Sequence, residues 1–167
     1  MDDKRALLQH FLAAIAYRTQ KALRGAPGSF ATFRAAPQVR TPHELVGHMN
    51  SVLGYARTFF IGGEYRPKLL PGFEAEVLRL HSTLADLSRH LEEGTPLQGT
   101  SPEKLLQGPF SDAMTHAGQL AMLRRLAGAP VAPENFIVAR IDATNVGPHQ
   151  ADPVSPDAVW PERPKVS

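Results

Sequence analysis

The stretch Phe73-Glu-Ala-Glu-Val-Leu-Arg-Leu-His-Ser-Thr-Leu-Ala-Asp-Leu-Ser-Arg-His-Leu91 sets Phe73, Val77, Leu80, Leu84, Leu87 and Leu91 alternately four and three residues apart. On a helix this spacing draws one apolar seam, the mark of a helix packed lengthwise against others. A helix is therefore expected from about Gly72 to Glu93, with Gly94 ending it. Upstream, residues 3–23 carry Leu7, Leu8, Phe11, Leu12 and Ile15 at helical spacing, with Lys4, Arg5, Gln9, Arg18 and Gln20 mostly elsewhere on the wheel. From Gly25 to Arg40 the composition turns to Gly, Pro, Ser and Ala. That connection is long enough to cross the end of a bundle, with Phe30 and Phe33 packing as a lid. Thr41-Pro-His-Glu44 reads as a capping box with proline at the first helical position, opening a helix that runs to about Phe60 before Gly62-Gly63. Downstream, a short turn is expected at Ser101–Leu106, and Gly108-Pro109 opens a last helix that ends near Gly128-Ala-Pro130.

Four periodic segments without a period-two strand predict an all-α fold, a four-helix bundle over 1–130 with a long connection after helix 1. Seven of the fifteen prolines lie between Pro130 and Pro164. Residues 131–167 are accordingly expected as a short helix around Glu134–Arg140 and an extended Pro-rich C-terminal tail, anchored on the bundle by Phe136, Ile137 and Trp160. A chain of 167 residues suits one domain. Eighteen basic against sixteen acidic residues, with no basic run interleaved with aromatics, argues against nucleic acid as a partner. The longest apolar run, Phe11–Tyr17, falls far below the ~20 residues of a membrane span. Absence of cysteine excludes disulfides, thiolate metal sites and a cysteine nucleophile, and it fits a reducing, cytoplasmic setting.

The residues that carry chemistry are few. Asp112 and His116 stand four apart, so on a helix they project one turn apart from one face. They share a stripe with Leu120 and Leu123, which makes an otherwise apolar face polar at one end. His48 falls on the stripe of Leu45, Met49, Val52 and Phe59. Two imidazoles and a carboxylate directed inward would leave coordination positions open on a shared ion, as a catalytic metal requires. Each also has an ordinary reading: His48 or His116 as a hydrogen-bonded core histidine, Asp112 as a charge favoured near a helix N-terminus. Burying such groups unpaired costs on the order of 1–3 kcal/mol each, which favours a common partner. Both motifs lie near helix starts, so the three side chains converge if the two helices run the same way. Glu44 is a fourth candidate ligand or the capping-box acid, and Gln119 either supports His116 or sits at the solvent edge. His10, His43, His81, His90 and His149 have no matching spacing and read as surface or boundary residues, with His81 the reserve. Arg124 and Arg125 either hold an anionic substrate or are solvated charges at the last turn. No phosphate loop, nucleophile elbow or H-E-x-x-H motif occurs.

Glu44-Leu-Val-Gly-His48-Met, followed by Asp112-x-x-x-His116-Ala-Gly-Gln119-Leu120 and Leu123-Arg-Arg-Leu-Ala-Gly128-Ala-Pro130, resembles the DinB-like helical bundles over most of residues 4–130. The resemblance implies a four-helix bundle with a divalent metal, commonly zinc or nickel and in principle iron, held by His48, Asp112 and His116 near one end. It further implies thiol-dependent transferases or isomerases using a low-molecular-weight thiol; for this chain the expectation is thiol transfer or hydrolysis on a small-molecule substrate at the metal, with a homodimer as an allowed assembly. Many relatives carry histidine where Asp112 stands, whereas mycothiol-dependent maleylpyruvate isomerases place a glutamate there. The rival expectation is a non-catalytic bundle in which the three residues form a structural network or a vestigial site.

Overall fold

A computed structural model describes residues 2–161; the end of the expected tail, 162–167, lies outside them. The Asp2 carboxylate accepts from the Arg5 N–H and starts α1 (Asp3–Leu23). The Thr41 hydroxyl accepts from the Glu44 N–H while the Glu44 carboxylate accepts from the Thr41 N–H, the reciprocal capping box that starts α2 (Pro42–Ile61). α3 (Phe73–Glu92) carries Glu74 and Glu76 in its first turn and Arg89 and His90 in its last, complementing the helix dipole. A single turn, α4 (Pro102–Leu105), continues through a π-helical segment, Leu106–Phe110, into α5 (Ser111–Leu126). The described chain is thus an all-helical bundle, as its periodicity predicts. None of its helices is long and apolar enough to cross a membrane.

The expectation that Gly108-Pro109 opens the last helix holds, since the backbone leaves helical geometry at Gly108. Gly108 (φ −95°, ψ −106°) breaks the short helix begun at Pro102 from the last one, and Pro109, with no N–H to donate, stands at the start of the latter. The Ser111 hydroxyl donates to the Leu106 carbonyl at 2.6 Å and satisfies an acceptor at the kink.

α1 packs on α3 and α5, α2 packs on the same two, and α1 and α2 lie on a diagonal. The connection 24–41 therefore does cross a bundle end, with Phe30 fully buried beneath it and Phe33 packed against the core. Side-chain pairs give the directions. Gln9 donates to Ser88 and Gln20 meets His81, so α1 and α3 are antiparallel. Arg18 reaches Met114 and Arg124 reaches the Ala22 carbonyl, so α1 and α5 are parallel. Asn50 bonds Glu76 and Phe60 stacks on His90, so α2 and α3 are parallel too.

Parallel neighbours need a connection that returns the length of a helix. At about 3.3 Å per residue, the segment 62–72 can retrace the roughly 30 Å of a 20-residue helix. Gly62 and Gly63, at φ 74° and 79°, reverse the chain, and Pro67 and Pro71 keep the return extended. This strap lies directly on α2: a Cβ at Gly54 would overlap the Tyr65 ring, and one at Gly47 would overlap the end of Leu69. Gly54→Ala is expected to destabilise the fold by about 1–3 kcal/mol through overpacking. Chemical denaturation of the Gly54→Ala, Tyr65→Ala and double variants checks this; the double variant should cost less than the sum of the singles, and strict additivity would mean that the strap does not press on α2.

The core is built from Leu8, Leu12 and Ile15 of α1, Leu45, Met49 and Leu53 of α2, the Leu80–Leu91 seam of α3, and Leu120 and Leu123 of α5. Some expected core positions move outward. Leu7 is exposed and Val52 and Phe59 are half-buried, while Val46, Ala56 and Phe60 replace them inside. Two polar rows flank the α3 seam and are themselves buried: Glu76, Thr83 and His90 on one side, His81 and Ser88 on the other. His81 and His90 are therefore not surface residues. His81 Nδ1 lies 2.7 Å from the Val146 carbonyl and its Nε2 lies 2.6 Å from Gln20 Nε2, so the ring is a neutral tautomer donating through Nδ1 and accepting through Nε2.

The region after Pro130 forms only a 3₁₀ turn, Phe136–Val138, in place of the expected short helix, because Asn135 turns its side chain onto the Ile137 N–H. Phe136 anchors it, set edge-on to Tyr17 at 6.4 Å with the Arg18 guanidinium 3.7 Å from its ring centre. Ile137, an expected anchor, is 88% exposed. The buried Val146 takes that part, and Trp160 is half-buried.

Candidate metal centre

α2 and α5 run antiparallel: Leu45 lies by Met122 and Leu126, His48 by His116, and Val52 and Tyr55 by Pro109 and Asp112. The condition set for convergence, that both ligand-bearing helices run the same way, is therefore not met. The three side chains converge nonetheless, because the start of the last helix, at Pro109 and Asp112, lies beside Val52 and Tyr55 in the middle of α2, which brings His116 opposite the second turn of α2. One ligand atom from each of His48, Asp112 and His116 lies within 4.8 Å of the others. The rings of His48 and His116 meet edge-on with centres 4.8 Å apart. His116 Nε2 is 3.2 Å from Asp112 Oδ1.

Burial is graded across the trio. His116 is buried, His48 is half-buried, and the Asp112 side chain is 48% exposed, so the site opens to solvent on its carboxylate side. Burial, helped by the charges of Arg40 and His116, lowers the His48 pKa below its ordinary value, with Asp112 opposing. His48 is therefore a neutral imidazole at pH 7, the form that binds a metal.

Gln119 supplies the decisive orientation. Its Oε1 lies 2.7 Å from His116 Nδ1 and must accept, which puts the ring proton on Nδ1 and the lone pair on Nε2. Nε2 is buried and has no hydrogen-bond partner among the described residues, and it faces a carboxylate oxygen that is also an acceptor. Two acceptors at that separation call for a cation between them, a proton or a metal ion. Support of a ligating imidazole through its other nitrogen is the usual second layer of a metal site. Two nitrogens and one oxygen suit zinc, nickel or iron(II).

Other candidates are placed elsewhere. Glu44 is held by the Thr41 N–H at 2.7 Å and by Arg34 at 3.0 Å, in its capping role. Arg124 is neither solvated nor at the site. It is buried and donates to the carbonyls of Ala22 at 2.9 Å, Arg24 at 3.1 Å and Ala129 at 2.7 Å, tying the ends of α1 and α5 together. Arg125 lines a cavity with Arg18, Lys21 and Phe136 on the α1 side of α5. Arg40, at the site's edge, carried no signal of its own in the sequence, since only the fold of the 24–41 connection brings it near His48.

Compared with protein-family models, with curated proteins and with solved structures, the chain finds no match.

Proposed function

We propose that His48, Asp112 and His116 hold one divalent metal ion and that the protein is a metal-dependent enzyme of the DinB-like type. The observation that carries this reading is the buried Nε2 of His116, with its proton placed on the opposite nitrogen by Gln119 and Asp112 facing its lone pair. When bound, the ion lowers the pKa of a coordinated water or low-molecular-weight thiol and so supplies the nucleophile that a cysteine-free chain lacks. The reaction is thiol transfer to a small electrophile or hydrolysis, with zinc or nickel as the resident ion. The chain's own part is to hold two neutral imidazoles and to leave the Asp112 side open to solvent.

A second reading has one observation in its favour: a proton on His116 Nε2 would also reconcile it with Asp112, giving a plain bundle with a charged histidine between Asp112 and Gln119. Elemental analysis of protein purified without added metal, followed by competition titration with zinc, separates the two. The metal reading predicts one equivalent per chain, abolished or strongly weakened in Asp112→Ala. Gln119→Ala should lower affinity by about 10–100-fold, as loss of a supporting hydrogen bond does. No uptake by the wild type, or uptake equal in all three proteins, assigns the trio to the plain bundle.

A further inference from the structure

A groove between the 24–41 connection, α2 and α5 begins at Gln119 and runs toward the end of α5, enclosing about 630 Å³. That lies within the roughly 300–1,000 Å³ usual for small-molecule sites. Its walls include Val39, Leu45, Met122 and Leu126, three of them substantially exposed: Val39 at 39%, Met122 at 53% and Leu126 at 57%. Uncovered apolar side chains gathered in one concavity are a binding surface in want of an apolar occupant.

The groove has one cation at its wall. Arg40 lines it and has no hydrogen-bond or ion-pair partner among the described residues. The loop that carries it is built rather than slack. Gln38, also in the wall, is held at φ 66°, in the left-handed region that non-glycine residues avoid. Arg34 fastens the loop by donating to the Val39 carbonyl and to the Glu44 carboxylate of the capping box. Strained backbone held by its surroundings collects at ligand-binding positions.

We propose that this groove binds an amphipathic monocarboxylate, its carboxylate on Arg40 and its apolar body against Val39, Leu45, Met122 and Leu126. The proposed enzyme reading enters only in what becomes of that carboxylate; recognition itself needs the groove and Arg40.

Calorimetry on the full chain, metal-free and zinc-loaded, with octanoate, octanamide and acetate as probes, tests it. Octanoate should bind one per chain, with octanamide and acetate each about tenfold or more weaker, since one lacks the charge and the other the body. Arg40→Gln, at an exposed position, should weaken octanoate about tenfold and leave octanamide unchanged. Leu126→Glu should weaken octanoate without altering zinc uptake. Equal binding of octanoate and octanamide, indifference to Arg40→Gln, or no binding at millimolar octanoate overturns the proposal. So does sedimentation showing a dimer that Leu126→Glu dissociates while octanoate fails to bind, which would give the groove to a second copy of the chain. Octanoate binding that depends on Arg40 in a protein that takes up no zinc would sustain this inference while removing the metal reading.

Discussion

His116→Ala is expected to lower zinc affinity by about a hundredfold or more, leaving the protein essentially metal-free after dialysis, because the proposed site then keeps only two of its three protein ligands. Its fold should survive. His116 lies at the rim of the core, and alanine leaves Leu120 and Leu123 in place. The effect also has a pH signature. Burial and the neighbouring charges depress the His48 pKa, so this ligand stays neutral below the ordinary histidine value of about 6.5, and wild-type zinc uptake should hold through pH 6.5 and fall only below it. The sign for stability is the same. A histidine depressed in the folded state contributes fully above its unfolded pKa, and that contribution is lost as pH falls below about 6.5 toward the folded value. Competition titrations of wild type and His116→Ala between pH 7.5 and 5.5 check both statements; retained stoichiometric zinc in His116→Ala would mean that the ion is bound elsewhere.

Glu76→Ala is expected to destabilise the protein by about 3–4 kcal/mol, since it leaves buried donors unpaired and opens space at the junction of three segments. The Glu76 side chain is wholly buried and accepts from the Asn50 amide at 2.6 Å, from the Leu70 N–H at 2.6 Å and from Arg79 Nε at 3.1 Å. One carboxylate thus joins α2, the 62–72 strap and α3. For a chain of this size the loss corresponds to a fall of about 10 °C in Tm. The strap ends against Gly47, beside His48, so zinc affinity should weaken as well. Urea denaturation measures the first effect. A loss below about 1 kcal/mol would show that the strap is held by something other than this network.

What the sequence disclosed and what it hid divide along physical lines. The start of α2 was legible because Thr41, Pro42 and Glu44 act within one turn, and local chemistry does not depend on the rest of the fold. The α3 seam was legible because burial of Leu80, Leu84, Leu87 and Leu91 imposes its own period. Asp112 and His116 were readable as a pair from their spacing alone, and His48 as a polar residue on an apolar stripe. Helix direction was not readable, since an apolar stripe looks the same in either sense, and the parallel placement of α2 and α3 rests on a strap that periodicity ignores. Nor was the burial of Glu76, His81 and His90. They lie one step off the α3 seam, and whether such a position faces water depends on which neighbours flank it. Gly108-Pro109 was legible for the same local reason as the start of α2: glycine leaves helical geometry and proline opens the next helix.

The claim that His48, Asp112 and His116 share one ion is tested most directly by X-ray absorption at the zinc edge on the protein loaded with one equivalent. The predicted first shell has two imidazoles and one or two oxygens at about 2.0–2.2 Å, losing one imidazole in His48→Ala or His116→Ala and one oxygen in Asp112→Ala. A shell of oxygens alone, or one with imidazoles that none of the three substitutions alters, would contradict it.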